Sequence, residues 1–160
     1  MAATHLRRQA TATFLALCLT LPALAFGQGN DDERSLYDRL GGLGPISVVV
    51  DDFIEAMLPD ELLNRNPAIA AARERVPAPY LKYRVTSMVC EVTGGPCEYR
   101  GRSMAASHAH LNITEREWDR MVAIFRDVLA EHDVPERETR ELVEIIGSTK
   151  GDIVTADAER

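Results

Sequence analysis

Histidine is the residue type of this chain best suited to metal chemistry, and His108 has the most distinctive surroundings. Gly94-Gly95-Pro96 must end any preceding helix, because glycine tolerates left-handed backbone and the residue before proline avoids the helical region. Gly101 gives a second break, which leaves room for about two to three helical turns of roughly 3.6 residues before Asn112. Met104 and His108 are four residues apart and lie on one face of that short helix. This pattern would present one imidazole as a single axial ligand to a metal centre.

His110 follows His108 by two residues, which is about 200° around a regular helix, so one helix cannot bring both imidazoles to the same metal. We therefore expect His110 to be exposed. His132 is the remaining histidine after residue 25. A His-x-His pattern by itself is more typical of an exposed polar segment than of a metal ligand, so the interpretation of His108 depends on its surroundings.

Two segments of the chain carry motifs of a known protein family. The first has LYDRLGG at residues 36–42, followed by VVVDDF from Val48 to Phe53. The second has Gly-Gly-Pro at residues 94–96, Tyr-x-Gly-Arg-x-Met ending at Met104, and Ser-His-Ala-x-Leu-Asn-Ile around His108. In content and in order, from about Ser35 to Val154, the chain resembles the group I truncated haemoglobins.

The resemblance implies an all-α fold: a single small globin-like domain, with a truncated two-on-two helical sandwich around haem b. It makes His108 the ligand of the haem iron. A haem iron binds a neutral imidazole through one nitrogen, and a carbonyl often holds the other nitrogen. The residues predicted to bind the cofactor are Phe53, Ile54, Leu81, Val85, Met88, Met104, His108, Trp118 and Met121.

The wall opposite His108 departs from many members of that family. They often have a Tyr directly after the Phe of the second helix and a Gln on the distal helix, both of which donate hydrogen bonds to bound oxygen. Here those places hold Ile54 and Val85, with Leu81 one turn earlier. Oxygen should therefore be held less tightly, unless a nearby donor compensates, whereas carbon monoxide depends less on donors. The candidate donors are Tyr80, Tyr83 and Arg84.

Two further departures concern the segment before the distal helix. An insertion of several residues lies within Asn66 to Pro79, and no Phe stands where the family's haem-stacking Phe is expected. Pro67 or Ile69 is the candidate replacement. Three cations are either partners of the haem propionates or solvated helix charges: Lys82, Arg84 and Arg102.

Helical periodicity runs through the rest of the chain, and no stretch has the convincing alternation of a strand. Pro45 suits a helix start, because its missing N–H costs nothing there. A second long helix is predicted to begin near Pro79. Thr114 and Glu117 form a capping box that opens a third, and Pro135 opens the last. A plain helical bundle would show the same periodicity, so the pattern alone does not choose between the two folds.

The first 25 residues have the composition of a secretory signal peptide. They contain no acid, carry Arg7 and Arg8, and run apolar from Ala10 to a small-x-small site at Ala23-Leu24-Ala25. The apolar run is too short for a stable membrane span, although an uncleaved amphipathic anchor is an alternative. We expect a periplasmic or secreted protein with a signal peptide at 1–25, a flexible lead at 26–34, a truncated globin domain at 35–156 and a tail at 157–160.

Cys90 and Cys97 are the two cysteines after residue 25, in a chain predicted to reach an oxidising compartment. On one helix they would lie about 10 Å apart, too far for a disulfide. The Gly94-Gly95-Pro96 turn could fold the chain back. A bridge and a pair of free thiols, with Cys90 buried and Cys97 loose, therefore both stay open.

The formal net charge of −7 falls to −9 when the two arginines of the signal peptide are removed. An acidic chain without a basic stripe argues against a nucleic-acid partner.

The favoured interpretation is a haem protein that binds oxygen or another diatomic gas, for carrying, storage, sensing or nitric oxide handling, rather than a dedicated enzyme. One alternative is a haem redox enzyme, such as a nitric oxide dioxygenase or peroxidase. It would need an external reductant, because the chain has no flavin or nucleotide motif. The other is a haem-free helical interaction module.

Overall fold

The computed structural model describes residues 33–156. The predicted signal peptide, the lead except its last two residues, and the tail at 157–160 lie outside the described residues. Among residues 33–156, no helix is both long and apolar enough to cross a bilayer. The elements, in chain order, are α1 (Leu36–Arg39), α2 (Leu43–Met57), α3 (Glu61–Asn64), α4 (Pro67–Arg75), α5 (Ala78–Val92), α6 (Met104–His108), β1 (Ile113–Thr114), α7 (Glu115–Glu131), α8 (Glu136–Ser148), α9 (Lys150–Ile153) and β2 (Val154–Ala156).

The predicted all-α class is confirmed, with one addition. Ile113 pairs with Val154 in parallel, so that β1 and β2 join the start of α7 to the end of the described chain. The expectation of no strand is wrong at this point. Strands of two and three residues are too short to show an alternating pattern, and their partners lie far apart in the sequence.

The start signals read from the sequence lie at helix ends in the structure. Thr114 caps α7: its side chain accepts a hydrogen bond from the Glu117 N–H at 3.3 Å, and the Glu117 carboxylate accepts one from the Thr114 N–H at 2.7 Å. Pro135 precedes α8 as its cap residue. Pro45 lies in the first turn of α2, two residues inside the helix, where its missing N–H leaves no helical hydrogen bond unmade.

The predicted insertion folds into a helix of its own. Asn66 caps α4 through its side-chain oxygen, and Pro67 occupies the first helical turn. Both residues favour a helix start, because asparagine accepts from free N–H groups and proline needs no partner there. The next helix, α5, begins at Ala78, close to the predicted start at Pro79.

Helix α2 lies at the centre of the fold, packed against α5 and α7, while α8 packs against α7 and α1. Apolar side chains form two clusters. The large cluster contains Phe53 and Ile54 of α2 together with buried residues of α7 and α8. The small cluster is centred on Ile113, Trp118 and Ile153. Met121 packs against both clusters, so the two apolar regions meet at the middle of α7.

A disulfide joins Cys90 to Cys97, with their Cα atoms 5.7 Å apart. The chain folds back because α5 ends at Val92 and Gly94 takes a φ of +86°, which favours glycine. Gly95 then passes close to the end of α5, because a Cβ there would lie 2.7 Å from the Cys90 carbonyl oxygen and 2.5 Å from the ring of Tyr37 on α1. The bridge predicted as one of two alternatives is therefore present. It ties the end of α5 to the loop that leads to α6.

Removing this bridge is expected to lower the free energy of unfolding by about 2 to 3 kcal/mol, because a closed loop of this length restricts the unfolded chain. The variant is Cys90→Ala with Cys97→Ser, since Cys90 is fully buried and Cys97 is partly exposed. Urea denaturation measures the effect. Dithiothreitol should destabilise the parent to the same extent and leave the variant unchanged. Two free thiols in parent protein purified under oxidising conditions would contradict the bridge.

Candidate functional site

His108 is the last residue of α6 and is partly buried. Its Nδ1 lies 2.9 Å from the carbonyl oxygen of Met104, one turn earlier. A carbonyl only accepts hydrogen bonds, so Nδ1 carries the proton and donates it. The lone pair of the neutral ring is then on Nε2. This is the tautomer that an iron ligand needs, and the backbone of its own helix fixes it.

Helix α6 is shorter than the room that the sequence leaves for it. It has five residues, begins after the cap residue Ser103 and stops at His108. The chain then turns, and Asn112 takes a φ of +51°, a left-handed conformation that asparagine tolerates. His110 therefore lies beyond the helix, and it is exposed as expected.

The remaining histidine of the described region is engaged elsewhere. Nε2 of His132, at the end of α7, lies 2.7 Å from a carboxylate oxygen of Asp52 on α2. Within residues 33–156, no group of three or more His, Cys, Asp or Glu side chains could hold a metal ion. His108 is thus the candidate that combines partial burial with a fixed neutral tautomer.

The residues predicted for the distal wall share the large apolar cluster. Phe53 and Ile54 are buried members of that cluster, and Phe53 meets Phe125 edge to face, with ring centroids 5.1 Å apart. Leu81 and Val85, which lie one turn apart on α5, are partly buried against it. The structure thus brings Ile54, Leu81 and Val85 onto one apolar surface, while Met88 of α5, predicted for the same wall, does not pack into that cluster.

The other predicted cofactor-binding residues lie mostly at the small cluster. Trp118 is a buried member, and Met104, whose carbonyl holds the imidazole, packs against it. Met121, also predicted for the site, packs against both clusters, as does Ile146 of α8. Met88 is partly buried, but among the described residues it packs into neither cluster.

The three candidate replacements for the missing distal donors interact with one another on the outside of α5. Tyr80 and Tyr83 are 50% and 64% exposed. The Arg84 Nε donates to the Tyr80 hydroxyl at 2.9 Å, and the guanidinium carbon lies 5.0 Å from the Tyr80 ring centroid. The hydrogen bond to Tyr80 raises the pKa of Arg84. In this arrangement none of the three donates a hydrogen bond towards the apolar wall.

The other cations predicted as propionate partners have partners within the protein. The Lys82 ammonium pairs with Asp51 at 2.7 Å and with Glu55 at 2.6 Å. Both hydrogen bonds raise the pKa of Lys82, and the one to Asp51 has the larger effect. Arg102 donates to the carbonyl of Ala106 on α6. Lys82 therefore joins α5 to α2, and Arg102 supports the helix that carries His108.

The family model described as bacterial-like globin matches residues 35–155. The chain belongs to the bacterial-like globin family. The match spans the domain predicted at 35–156, and the predicted likeness to group I truncated haemoglobins is confirmed.

The curated relatives of this globin are group 1 truncated hemoglobins. The group 1 truncated hemoglobin GlbN of Nostoc commune is 26% identical over 120 residues, which cover 75% of this chain and 97% of that protein. The GlbN of Mycolicibacterium paratuberculosis is 28% identical over 127 residues, which cover 79% of this chain and 89% of that protein. The relatives are thus matched over nearly their whole length.

Solved structures agree with the fold. The 2/2 hemoglobin from Synechococcus sp. PCC 7002, solved in the cyanomet state with covalently attached heme, has a TM-score of 0.67 at 26% identity and covers 76% of this globin and 98% of that chain. The truncated hemoglobin from Tetrahymena pyriformis in its Fe(III) form has a TM-score of 0.67 at 21% identity, with the same coverage. The single two-on-two globin domain expected from the sequence is confirmed.

The donor set of this globin fits a haem iron: one partly buried imidazole whose Nδ1–H is held by a carbonyl and whose Nε2 is free to bind, on a helix whose Met104 packs against the small apolar cluster. Sequence reasoning missed one residue that acts near His108. The side-chain nitrogen of Asn66 donates to the carbonyl of Leu111, just beyond α6. The Asn-Pro pair at residues 66–67 is a helix-start signal that could have identified the cap. The second hydrogen bond leaves no trace in the sequence.

Proposed function

We propose that this globin binds haem b through His108 and, when loaded, binds a diatomic gas reversibly. The single observation that supports this best is the hydrogen bond between Nδ1 of His108 and the carbonyl of Met104, whose side chain packs against the small apolar cluster. When bound, haem would supply an iron that can bind a diatomic gas. Met104, Trp118 and Met121 are proposed to contact the haem on the His108 side.

The protein's own residues have three tasks in this proposal. His108 offers its Nε2 lone pair, and the Met104 carbonyl keeps the ring from rotating. Ile54, Leu81 and Val85 form an apolar wall that excludes water from the gas side. A wall of this kind favours a neutral ligand over a charged one, because it cannot solvate charge.

Gas binding is favoured over a dedicated redox enzyme because of the distal wall. A nitric oxide dioxygenase must hold oxygen through directed donors, and Tyr80 and Arg84 are bonded to each other instead. Carbon monoxide and nitric oxide depend less on such donors. We therefore propose that oxygen binds more weakly, relative to carbon monoxide, than in globins with polar distal residues.

The absorption spectrum of the purified ferrous protein, with and without oxygen, nitric oxide and carbon monoxide, tests the proposal. Protein expressed with added haem should show a bound-haem Soret band that shifts with each gas and returns when the gas is removed. A chain that stays folded by circular dichroism but takes up no haem would favour the haem-free interaction module. Rapid turnover of nitric oxide with oxygen and a reductant would favour the enzyme.

We also propose that the protein works outside the cytoplasm, in the periplasm or secreted. The Cys90–Cys97 disulfide supports this, because such bridges persist in oxidising compartments. Mass spectrometry of protein recovered from outside the cytoplasm should find an N-terminus near Phe26, because the cleavage site ends at Ala25. An intact Met1 on soluble cytoplasmic protein would contradict the localisation.

A further inference from the structure

The helix that carries His108 has only five residues; it packs against α9, and contacts at its two ends also hold it. At its start, the Ser103 hydroxyl oxygen accepts from the Ala106 N–H at 3.2 Å. At its other end, the Leu111 N–H donates to the carbonyl of His108 at 2.9 Å. The backbone of His108 is therefore held directly by the turn that follows it. What holds that turn therefore helps to set the position of the His108 backbone, while the Met104 carbonyl holds the ring.

Asn66, 45 residues earlier in the chain, holds the turn. Its Nδ2 donates to the Leu111 carbonyl at 2.9 Å. Its Oδ1 accepts from the N–H groups of Ala68 at 2.9 Å and Ile69 at 3.4 Å, which caps α4. Two successive hydrogen bonds thus connect the start of α4 to the backbone of His108.

An amide is the side chain that can do both tasks at this position. Serine, threonine and aspartate also cap helices, but an ionised aspartate only accepts hydrogen bonds. Asn66 needs one atom that accepts and another that donates, aimed in different directions. Packing supports the same contact, because Ile69 of α4 packs against the small cluster that contains Trp118 and Met104.

We propose that Asn66 is a positioning residue for His108: through the Leu111 backbone it fixes the direction from which the imidazole meets the haem iron. The inference rests on the proposed haem binding by His108. It also gives the inserted segment a function. Helix α4 carries, at its cap, the amide that holds the end of the ligand helix against the rest of the domain.

Asn66→Asp tests the proposal, because it keeps the side-chain shape and the cap while replacing the donor with an acceptor. Aspartate caps helices as well as asparagine does and suits the positive end of α4. The new oxygen would face the Leu111 carbonyl, so the turn should move away. We expect the rate of haem loss to an excess of apomyoglobin to rise about tenfold, the equivalent of about 1.4 kcal/mol. The iron–histidine stretching band of the ferrous protein in resonance Raman should shift as well.

Asn64→Asp is the matched control. Asn64 also donates from Nδ2 to a backbone carbonyl, that of Leu58 at 3.0 Å, but this bond connects α3 to the end of α2. The same substitution there removes the same kind of bond without touching the turn after His108. Its Raman band should match that of the parent. Asn66→Ser, which keeps a cap oxygen and loses the donor to Leu111, repeats the test if the aspartate variant folds poorly.

A second background separates an effect through His108 from a general effect on the pocket. In His108→Gly with added imidazole, the free imidazole is not attached to α6. Asn66→Asp should then leave the iron–imidazole band unchanged. The proposal is overturned if Asn66→Asp leaves both the Raman band and haem loss as in the parent, or if its shift persists in the His108→Gly background. Absence of haem from the parent itself would instead overturn the proposed function.

Discussion

Replacing His108 by alanine is expected to abolish stable haem incorporation, or to leave it dependent on added imidazole. The described residues offer no comparable second ligand: His110 is exposed beyond α6, and His132 pairs with Asp52 at 2.7 Å. Without an axial ligand, haem would be held by apolar contacts alone. The ratio of Soret to protein absorbance after purification measures the loss, and titration with imidazole measures the rescue.

His110→Ala is the control for this experiment. It removes an imidazole two residues away, on the turn rather than on α6. We expect it to retain haem with the spectrum of the parent. The reverse pattern, in which His110→Ala loses haem and His108→Ala keeps it, would make His110 the ligand.

Placing donors on the distal wall is expected to slow the dissociation of oxygen by about tenfold or more. The variant is Ile54→Tyr with Val85→Gln. One hydrogen bond to a charged acceptor contributes about 1.5 to 3 kcal/mol, and about 1.4 kcal/mol corresponds to a factor of ten. Both residues face the large apolar cluster, where water competes little. Stopped-flow measurement of oxygen release from the ferrous protein gives the rate.

A control variant with side chains of similar size separates the effect of the hydrogen-bond donors from the effect of added side-chain volume. Ile54→Phe with Val85→Met adds similar volume without a hydroxyl or an amide. Ile54 is only 1% exposed, so both double variants should lose about 1 to 3 kcal/mol of stability through overpacking. If oxygen release is slower in the donor variant alone, the result supports the prediction that Ile54 and Val85 line the distal wall. Equal rates in the donor variant and the parent would mean that a donor is already present or that Ile54 and Val85 do not face the gas.

The main helices were predictable because their signals are local. Thr114 and Glu117 form the expected capping box, and α5 and α8 begin beside Pro79 and Pro135 as expected. Caps, prolines and a 3.6-residue period act within one or two turns, so the sequence carries them in full. Ile54, Leu81 and Val85 were grouped correctly on an apolar surface for the same reason, with the resemblance supplying which surfaces meet.

The errors and omissions involve partners that residue type alone does not specify. The pairing of Ile113 with Val154 joins two segments too short to be recognised as strands. Tyr80 and Arg84 were candidate distal donors, but their hydrogen bond with each other leaves them on the outside of α5. The partner that each group finds depends on the folded structure, because residue type alone is compatible with several partners.

By itself, the sequence determined the long helices, the starts of α5, α7 and α8, and the family, because each depends on local spacing or on motifs in a fixed order. Only the tertiary structure decided that Cys97 folds back onto Cys90 and that Asn66 reaches the turn after His108. It also decided the tautomer of His108, through the Met104 carbonyl. The tautomer depends on a contact within α6 itself, whereas one physical reason holds for both the disulfide and the Asn66 contact. A disulfide or a hydrogen bond requires atoms within a few ångströms and in a definite orientation, and the packing of the helices supplies both.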